Sequence, residues 1–274
     1  MVECVVFHSA RAGIGKSTLA ANTAALLARR GQRVGLLDAN VQEGGLTSFF
    51  GLGAKAIGCT LNDFLLERCE GMDAWYDVTP NWQLAPASVM LPQAGSIWLM
   101  PASPRLRDRA ALLQTGFRIE RITDDLIATA ESLQLDTLLI DTHAGIQEES
   151  MLAMHSLAVA QTLVLVLGLD QPDYAGTAVA VDIAETLRVP QIVQVVNQIS
   201  MLFDPVRVKQ ELAQTYRHPV LALFPYHPEL AALGSADLFV LRYPKHAITR
   251  VFEHLAEALL THVDPLQSIE QPPG

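Results

Sequence analysis

The residues whose types and spacing most clearly suggest chemistry lie near the start of the chain, between positions 9 and 18. An apolar strand candidate, Glu3–His8, leads into this segment, and a helical pattern follows it directly. The segment itself is made mostly of small residues and runs Ser9, Ala10, Arg11, Ala12, Gly13, Ile14, Gly15, Lys16, Ser17, Thr18. A loop of this kind at a helix N-terminus presents backbone N–H groups and the positive end of the helix dipole to an anion. We therefore predict a phosphate-binding loop.

Lys16 and Ser17 have the spacing of the pattern G-x-x-x-x-G-K-[ST]. In that pattern the lysine reaches the β- and γ-phosphates of a nucleotide and the hydroxyl ligates Mg²⁺. The chain satisfies it at Gly15, Lys16 and Ser17, while Ala10 takes the place of the first glycine. We expect Ala12–Thr18 to bind ATP or ADP together with Mg²⁺.

Two acidic residues follow apolar strand candidates. Asp38 ends the run Arg33–Leu37, and Asp141 ends the run Asp136–Ile140. Because the carboxyl ends of parallel strands meet at one edge of a sheet, both acids belong beside the phosphate loop. Carboxylate and hydroxyl oxygens suit Mg²⁺ and its water shell, so we predict Ser17, Asp38 and Asp141 as the metal ligands. A buried capping role is the alternative explanation for either acid alone.

The phosphate loop resembles that of the MinD/ParA family, which is usually written K-G-G-x-G-K-[ST]. Residues 11–17 read RAGIGKS here. In the family the first lysine reaches across a nucleotide-sandwich homodimer to the partner's phosphates, so the resemblance gives this role to Arg11. Arginine keeps the positive charge and offers a bidentate fork, although its planar group is not equivalent to an ammonium. The resemblance covers nearly the whole chain and is weakest over residues 55–96.

The two switch segments of the family also have counterparts. Family members typically carry D-x-D-x-Q, matched here at Asp38 and Gln42, and I-D-[TS]-x-x-G, matched at Asp141 and Gly145. Asn40 stands where the family has an acid that orients or activates the attacking water. An amide can hold a water molecule but cannot take its proton, so the resemblance implies slow hydrolysis. The catalytic residues that it implies are Lys16, Arg11, Asp38 and Asn40.

Later segments continue the resemblance. In the family an asparagine at the position of Asn197 hydrogen-bonds the adenine edge, for which an amide has both a donor and an acceptor; a strand-end cap is the alternative. The segment around Pro244 resembles the wall of the adenine site, and Leu169–Ala178 resembles a segment beside the dimer seam. His143, inside the second switch, either contacts a partner subunit or fills the loop.

Short apolar runs alternate with helical patterns along the chain, which predicts an α/β fold with a doubly wound, mostly parallel sheet and helices on both faces. The predicted strands are Glu3–His8, Arg33–Leu37, Asp136–Ile140, Thr162–Leu167, Ile192–Val196 and Val220–Phe224. The predicted helices are Ser17–Arg30, Ile122–Leu133, Glu148–Ala158, Gly176–Leu187, Val206–Tyr216 and Ile248–Leu260. We expect one domain over residues 1–265, with a loop-rich insertion over about 44–112 that holds strands near Trp82–Pro86 and Ile97–Pro101, and a frayed tail at 266–274.

The composition excludes several classes of protein. The chain has 274 residues, a net charge of −10 and 50% apolar residues, and its mean hydropathy is +0.25, so we expect a folded, acidic protein. The chain lacks the roughly 18-residue apolar run of a membrane span, and we expect no signal peptide. The three scattered cysteines fit the cytoplasm and lack the pairing of iron–sulfur carriers, and the eight histidines lack metal-ligand spacing. The residues after Thr261 are acidic and interrupted by proline, so we expect no membrane-targeting helix of the MinD type there.

The expected function is an ATP-dependent dimerisation switch that positions or regulates a protein partner or cargo. A nucleotide-binding scaffold without turnover is the first alternative, and it is favoured by Ala10, Arg11 and Asn40. A ParA-like DNA-partitioning ATPase is the second. Arg105, Arg107 and Arg109 could form a DNA-binding patch, but a solvated face explains them better, because Asp108 lies among them and the chain is acidic overall.

Overall fold

The computed structural model describes residues 2–41, 44–79, 95–115, 119–145 and 151–261. Gln42, the predicted strand Trp82–Pro86 and the predicted tail 266–274 lie outside these residues. Within the described ranges, no helix is long and apolar enough to cross a membrane.

A single sheet organises the described part of the chain. Its strands are β1 (Glu3–His8), β2 (Arg33–Ala39), β3 (Tyr76–Asp77), β4 (Ser96–Met100), β5 (Thr137–Thr142), β6 (Thr162–Leu167), β7 (Gln191–Ile199) and β8 (Val220–Pro225). Their order across the sheet is β3-β4-β2-β5-β1-β6-β7-β8. Only the short pair β3–β4 is antiparallel among these neighbours. The predicted mostly parallel α/β fold is therefore confirmed.

The helices that surround the sheet are α1 (Lys16–Arg29), α2 (Leu46–Phe49), α3 (Leu61–Leu65), α4 (Leu106–Thr115), α5 (Ile119–Ser132), α6 (Met151–Val159), α7 (Gln171–Thr186), α8 (Pro205–Tyr216), α9 (Pro228–Leu233), α10 (Phe239–Arg242) and α11 (Ala247–Leu260). Two apolar cores separate them from the sheet, one on each face. Because side chains alternate along a strand, Val5 and Phe7 of β1 enter the core that holds α1, α10 and α11. Cys4 and Val6 enter the core that holds residues of α5, α7 and α8.

Helix α1 carries the phosphate loop at its start and is buried along most of its length. Its sequence, KSTLAANTAALLAR, places alanine or leucine on nearly every side, and Ala20, Ala21, Ala24 and Ala25 are fully buried. A helix that is apolar all round is held between two layers, and small side chains allow close packing. This helix packs between the sheet and α11, which fixes the position of the loop before it.

Some elements differ from the sequence prediction. Helix α7 begins at Gln171 rather than at Gly176, because Asp170 caps it: its Oδ1 accepts a hydrogen bond from the N–H of Asp173 at 3.0 Å. Pro172 in the first turn suits a helix start. The expected insertion contains α2, α3, most of α4 and two strands. Strand β4 is the one predicted near Ile97–Pro101, whereas the antiparallel β3 has two residues, too few to give a periodic signal.

Candidate nucleotide-binding site

The predicted phosphate loop lies between β1 and α1, at the carboxyl edge of the sheet. Gly13 and Gly15 have φ angles of +78° and +91°, in the left-handed region that glycine enters without strain. A Cβ atom on Gly15 would also collide with the side-chain amide of Asn197. The turn is closed by Ser9, whose hydroxyl donates to the carbonyl of Arg11 at 2.7 Å. The two glycines thus let the chain turn tightly onto the helix N-terminus.

The three predicted metal ligands lie together beside Lys16. Asp38 and Asp141 are paired in register on the adjacent strands β2 and β5. The backbones of neighbouring strands lie about 4.8 Å apart. The Ser17 hydroxyl donates to the Asp141 carboxylate. Lys16 is 7% exposed, and its positive charge acts on Asp141.

The two carboxylates are buried and incompletely satisfied. Asp38 Oδ2 accepts from the N–H groups of Gly45 at 3.0 Å and Leu46 at 3.3 Å, but Asp38 Oδ1 and Asp141 Oδ1 have no hydrogen-bond partner. Burial, with the negative charge of Asp141, raises the pKa of Asp38 to about 7. Burial raises the pKa of Asp141 to about 6, against the opposing effects of Lys16 and Ser17. Unpaired oxygens of this type fit a Mg²⁺ ion and its water shell.

Asn40 lies directly after β2 and is 8% exposed. Its backbone N–H donates to the Asp38 carboxylate, and its carbonyl accepts from the N–H of Gly44 at 2.9 Å. The backbone of this residue therefore shapes the turn that holds Asp38.

Arg11 is held within its own subunit. Its Nε donates to Asp173 Oδ1 at 2.9 Å, and its terminal nitrogen lies 2.7 Å from Asp170 Oδ2. The Asp173 side chain is fully buried, and its other oxygen accepts from the N–H of Gly168 at 2.9 Å. The hydrogen bond and charge of Asp173 raise the pKa of Arg11, against the effect of desolvation. The guanidinium group of Arg11 therefore connects the phosphate loop to the N-terminus of α7.

Asn197 and Gln198 support the phosphate loop from β7. Asn197 Nδ2 donates to the carbonyl of Ile14 at 2.7 Å, and Gln198 Nε2 donates to the carbonyl of Gly13 at 3.3 Å. The pairing of β7 with β8 is irregular here, and Gln198 has a φ of +58°. Such irregularities redirect side chains at a strand end. Asn197 is thus beside the loop, as expected, but its amide contacts protein backbone.

Asn22 of α1 connects the first turns of its own helix to α10. Asn22 Nδ2 donates to the carbonyl of Thr18 at 2.8 Å, and Asn22 Oδ1 accepts from the N–H of Val240 in α10 at 3.0 Å. Pro244 follows α10 and is exposed. Helix α10, which directly precedes Pro244, is therefore attached to α1 through Asn22.

The second switch contacts the phosphate loop through Gly145, whose N–H donates to the carbonyl of Ser9 at 2.8 Å. Its φ is +77°. His143, two residues earlier, is partly buried, and its Nδ1 donates to the carbonyl of Ala144 at 2.7 Å. The two loops are therefore in direct backbone contact.

His8 is a residue of the site that sequence reasoning missed. Thr142 Oγ1 donates to the carbonyl of Phe7 at 2.9 Å, so the same oxygen accepts from His8 Nδ1 at 2.8 Å. This fixes the proton on Nδ1 and leaves His8 Nε2 buried without a partner. Burial, followed by the charges of Lys16 and His143, lowers the pKa of His8 to about 3. A histidine at the end of a buried strand was the only sequence signal.

The arginines considered for DNA binding differ in their surroundings. Arg105 bonds Asp63 at 2.9 Å and Asp108 at 2.7 Å, and Arg68 joins the same two carboxylates. Arg107 is 76% exposed and 3.9 Å from Asp108. Arg105 therefore belongs to an ion-pair network between α3 and α4.

Comparison with known proteins agrees with this geometry. The ParA family model, described as NUBPL iron-transfer P-loop NTPase, matches residues 1–260. The chain therefore belongs to this family of P-loop NTPases, and the predicted MinD/ParA resemblance is confirmed.

Individual relatives are distant. An uncharacterized ATP-binding protein of Methanocaldococcus jannaschii is 26% identical over 95% of this chain and 88% of its own length. An iron–sulfur cluster carrier protein of Pyrococcus furiosus is 25% identical over 72% of this chain but only 61% of its own length. The structure of the septum site-determining protein MinD of Pyrococcus horikoshii with Mg-ADP has a TM-score of 0.72 at 20% identity, with both chains fully covered. At this identity the structural likeness shows the fold alone.

Proposed function

We propose that this protein is an ATP-dependent dimerisation switch of the MinD/ParA type that works in the cytoplasm on a protein partner or cargo. One observation carries the proposal: the phosphate loop, which turns at two glycines, lies beside two buried carboxylates that each have an oxygen without a hydrogen-bond partner. Lys16 and Ser17 lie next to these carboxylates. Cation and anion sites that meet at one sheet edge suit a nucleoside triphosphate with its metal.

Each residue has a defined part in this proposal. Backbone N–H groups of Ala12–Thr18 and the ammonium of Lys16 bind the phosphates, and Ser17, Asp38 and Asp141 hold Mg²⁺, which supplies neutralisation of phosphate charge when bound. Asn40 holds a water without taking its proton, so hydrolysis is slow. Arg11 reaches the partner's phosphates, while Asn197 and Pro244 flank the base.

Binding and hydrolysis can be tested with two substitutions and a control. Lys16→Ala should abolish Mg²⁺-dependent ATP binding. Lys55→Ala should not, because it removes an exposed lysine outside the phosphate loop. Asn40→Asp should raise the ATP hydrolysis rate at least tenfold, since a positioned base contributes about 10²–10⁴-fold. The proposal is wrong if the wild type binds no Mg-ATP or if Lys16→Ala binds it equally well. Binding without hydrolysis in both the wild type and Asn40→Asp would instead identify a scaffold.

The dimer can be tested through the partners of Arg11. ATP, but not ADP, should convert the wild type to a dimer in light-scattering measurements. Arg11 must leave both Asp170 and Asp173 to reach a second subunit. Asp170→Ser removes one of these two contacts and keeps a helix-capping oxygen, so it should shift dimerisation to lower ATP concentration. Arg11→Ala should weaken the dimer. A monomer at all nucleotide concentrations would refute this part.

An iron–sulfur carrier is the second candidate, suggested by the family description and by the side-chain contact between Cys59 and Cys69. Two copies would supply four thiolates, the usual ligand number. Against it, burial raises the pKa of Cys69, which disfavours the thiolate, and Cys4 is buried in β1 with its pKa raised to about 11. Anaerobic reconstitution with iron and sulfide distinguishes the two, because a carrier would acquire a visible absorption band that Cys59→Ser removes.

A further inference from the structure

A cluster of two histidines and a glutamate lies outside the nucleotide site. His227 follows β8, Glu229 is in the first turn of α9, and His246 precedes α11. His227 Nδ1, Glu229 Oε2 and His246 Nε2 all lie within 4.8 Å of one another. The histidine rings stand edge to face with centroids 4.5 Å apart. Two segments, the start of α9 and the start of α11, thus place three side chains that direct one nitrogen or oxygen each toward a common point.

The contacts inside the cluster are close without being hydrogen bonds. His227 Nδ1 is 2.6 Å from Glu229 Oε2, yet this nitrogen is buried and has no hydrogen-bond partner of acceptable geometry. Glu229 Oε2 is 3.8 Å from His246 Nε2. A cation between the three atoms would satisfy all of them, because ligand atoms around a tetrahedral ion lie about 3.3 Å apart when each bond is about 2.0–2.1 Å.

We propose that His227, Glu229 and His246 form a binding site for a divalent transition metal ion of the Zn²⁺ or Co²⁺ type. Two imidazoles and a carboxylate are the ligand set of open tetrahedral zinc sites, and imidazole selects such ions over Mg²⁺. The ion would connect the loop after β8 to the start of α11, beside the exposed residues Tyr243 and Pro244. The site does not depend on the proposed nucleotide function.

Metal binding changes the role of His246. In the metal-free protein its Nδ1 accepts from the N–H of Ile248 at 3.1 Å, so a neutral ring carries its proton on Nε2. When Nε2 binds a metal, that proton moves to Nδ1 and the helix loses this cap. The exchange costs about tenfold in affinity, so we expect binding about tenfold weaker than at a site with the same ligands and no cap to lose.

The test uses the full chain without nucleotide, stripped by chelator and kept in excess Mg²⁺ so that oxygen-only sites are occupied. Titration with Co²⁺ should give one equivalent bound, with visible absorption of four- or five-coordinate Co²⁺, and Zn²⁺ should displace it. His227→Ala and Glu229→Gln should each weaken binding at least tenfold. His246→Asn should do the same while preserving the helix cap, because asparagine is a preferred capping residue.

A matched control is available at His218, which contacts Glu185 at 3.0 Å in an exposed His–Glu pair. His218→Ala should leave Co²⁺ binding unchanged. Three results would overturn the proposal: no stoichiometric binding, binding unaffected by His227→Ala and His246→Asn, or binding abolished by Asp141→Asn. The last would place the ion at the nucleotide site. Glu229 is half-exposed, and glutamine keeps its size and shape, so Glu229→Gln should fold normally. Its loss of Co²⁺ binding relative to the wild type then reports the missing carboxylate.

Discussion

Replacement of Arg11 by alanine should destabilise the nucleotide-free protein through the buried carboxylate of Asp173. The variant leaves Asp173, whose side chain is fully buried, with the N–H of Gly168 as the remaining donor described for it. Breaking a fully buried pair costs about 3–5 kcal/mol, whereas an exposed pair contributes about 0–1 kcal/mol. Arg11 is 47% exposed, so water replaces part of the lost interaction. We expect a loss of about 2 kcal/mol, between these limits.

Urea denaturation followed by circular dichroism measures this loss. A decrease of that size corresponds to a fall of roughly 4–8 °C in Tm for a domain of this length. Arg11→Lys should lose about half as much stability as Arg11→Ala, since one ammonium cannot bond both Asp170 and Asp173 as the guanidinium does.

Arg207→Ala is the matched control. Arg207 bonds Glu211 at 2.7 Å, but the two side chains are 77% and 59% exposed, so this change should leave the stability essentially unchanged. If Arg11→Ala and Arg207→Ala lose equal stability, the buried carboxylate does not depend on Arg11 and the reasoning fails.

Three further predictions concern the site and its surroundings. Asn197→Ala should weaken ATP and GTP binding by the same factor in calorimetric titration if its bond to Ile14 holds the loop; a selective loss of ATP would support base recognition instead. His8→Asn cannot titrate, so the stability of the wild type relative to it should fall by about 2 kcal/mol between pH 7.5 and 5, because only the unfolded histidine takes up a proton there; parallel pH curves would contradict the pKa of about 3. Asp108→Ala should cost about 3 kcal/mol in urea denaturation, since this buried carboxylate bonds two arginines and a serine, while Arg107→Ala should cost at most about 0.5 kcal/mol.

The phosphate loop could be predicted from sequence because its determinants are local. A buried strand, small residues and a helix start occur in direct succession from Glu3 to Arg29, and the glycines at 13 and 15 supply the left-handed backbone that the turn needs. Asp38 and Asp141 could also be predicted, since parallel strands bring their carboxyl ends to one edge. Their pairing in register confirms that placement.

Features that depend on contacts between distant segments could not be predicted. Arg11 and Asp173 are 162 positions apart, and Asn197 bonds Ile14 across 183. The family resemblance assigns Arg11 to a partner subunit and Asn197 to a base, and both assignments stay predictions. It gave no indication of the bonds that these side chains make within the subunit, because a motif carries no information about the partner of a long side chain.

The amino-acid sequence by itself determined the fold class, the position of the phosphate loop and the approximate place of the acids, because each follows from periodicity or short-range spacing. Only the tertiary structure decided that Asp38 and Asp141 each keep an unsatisfied oxygen, that His8 is buried and neutral, and that His227, Glu229 and His246 converge. These properties arise from burial and from side chains of separate segments, which no local pattern encodes.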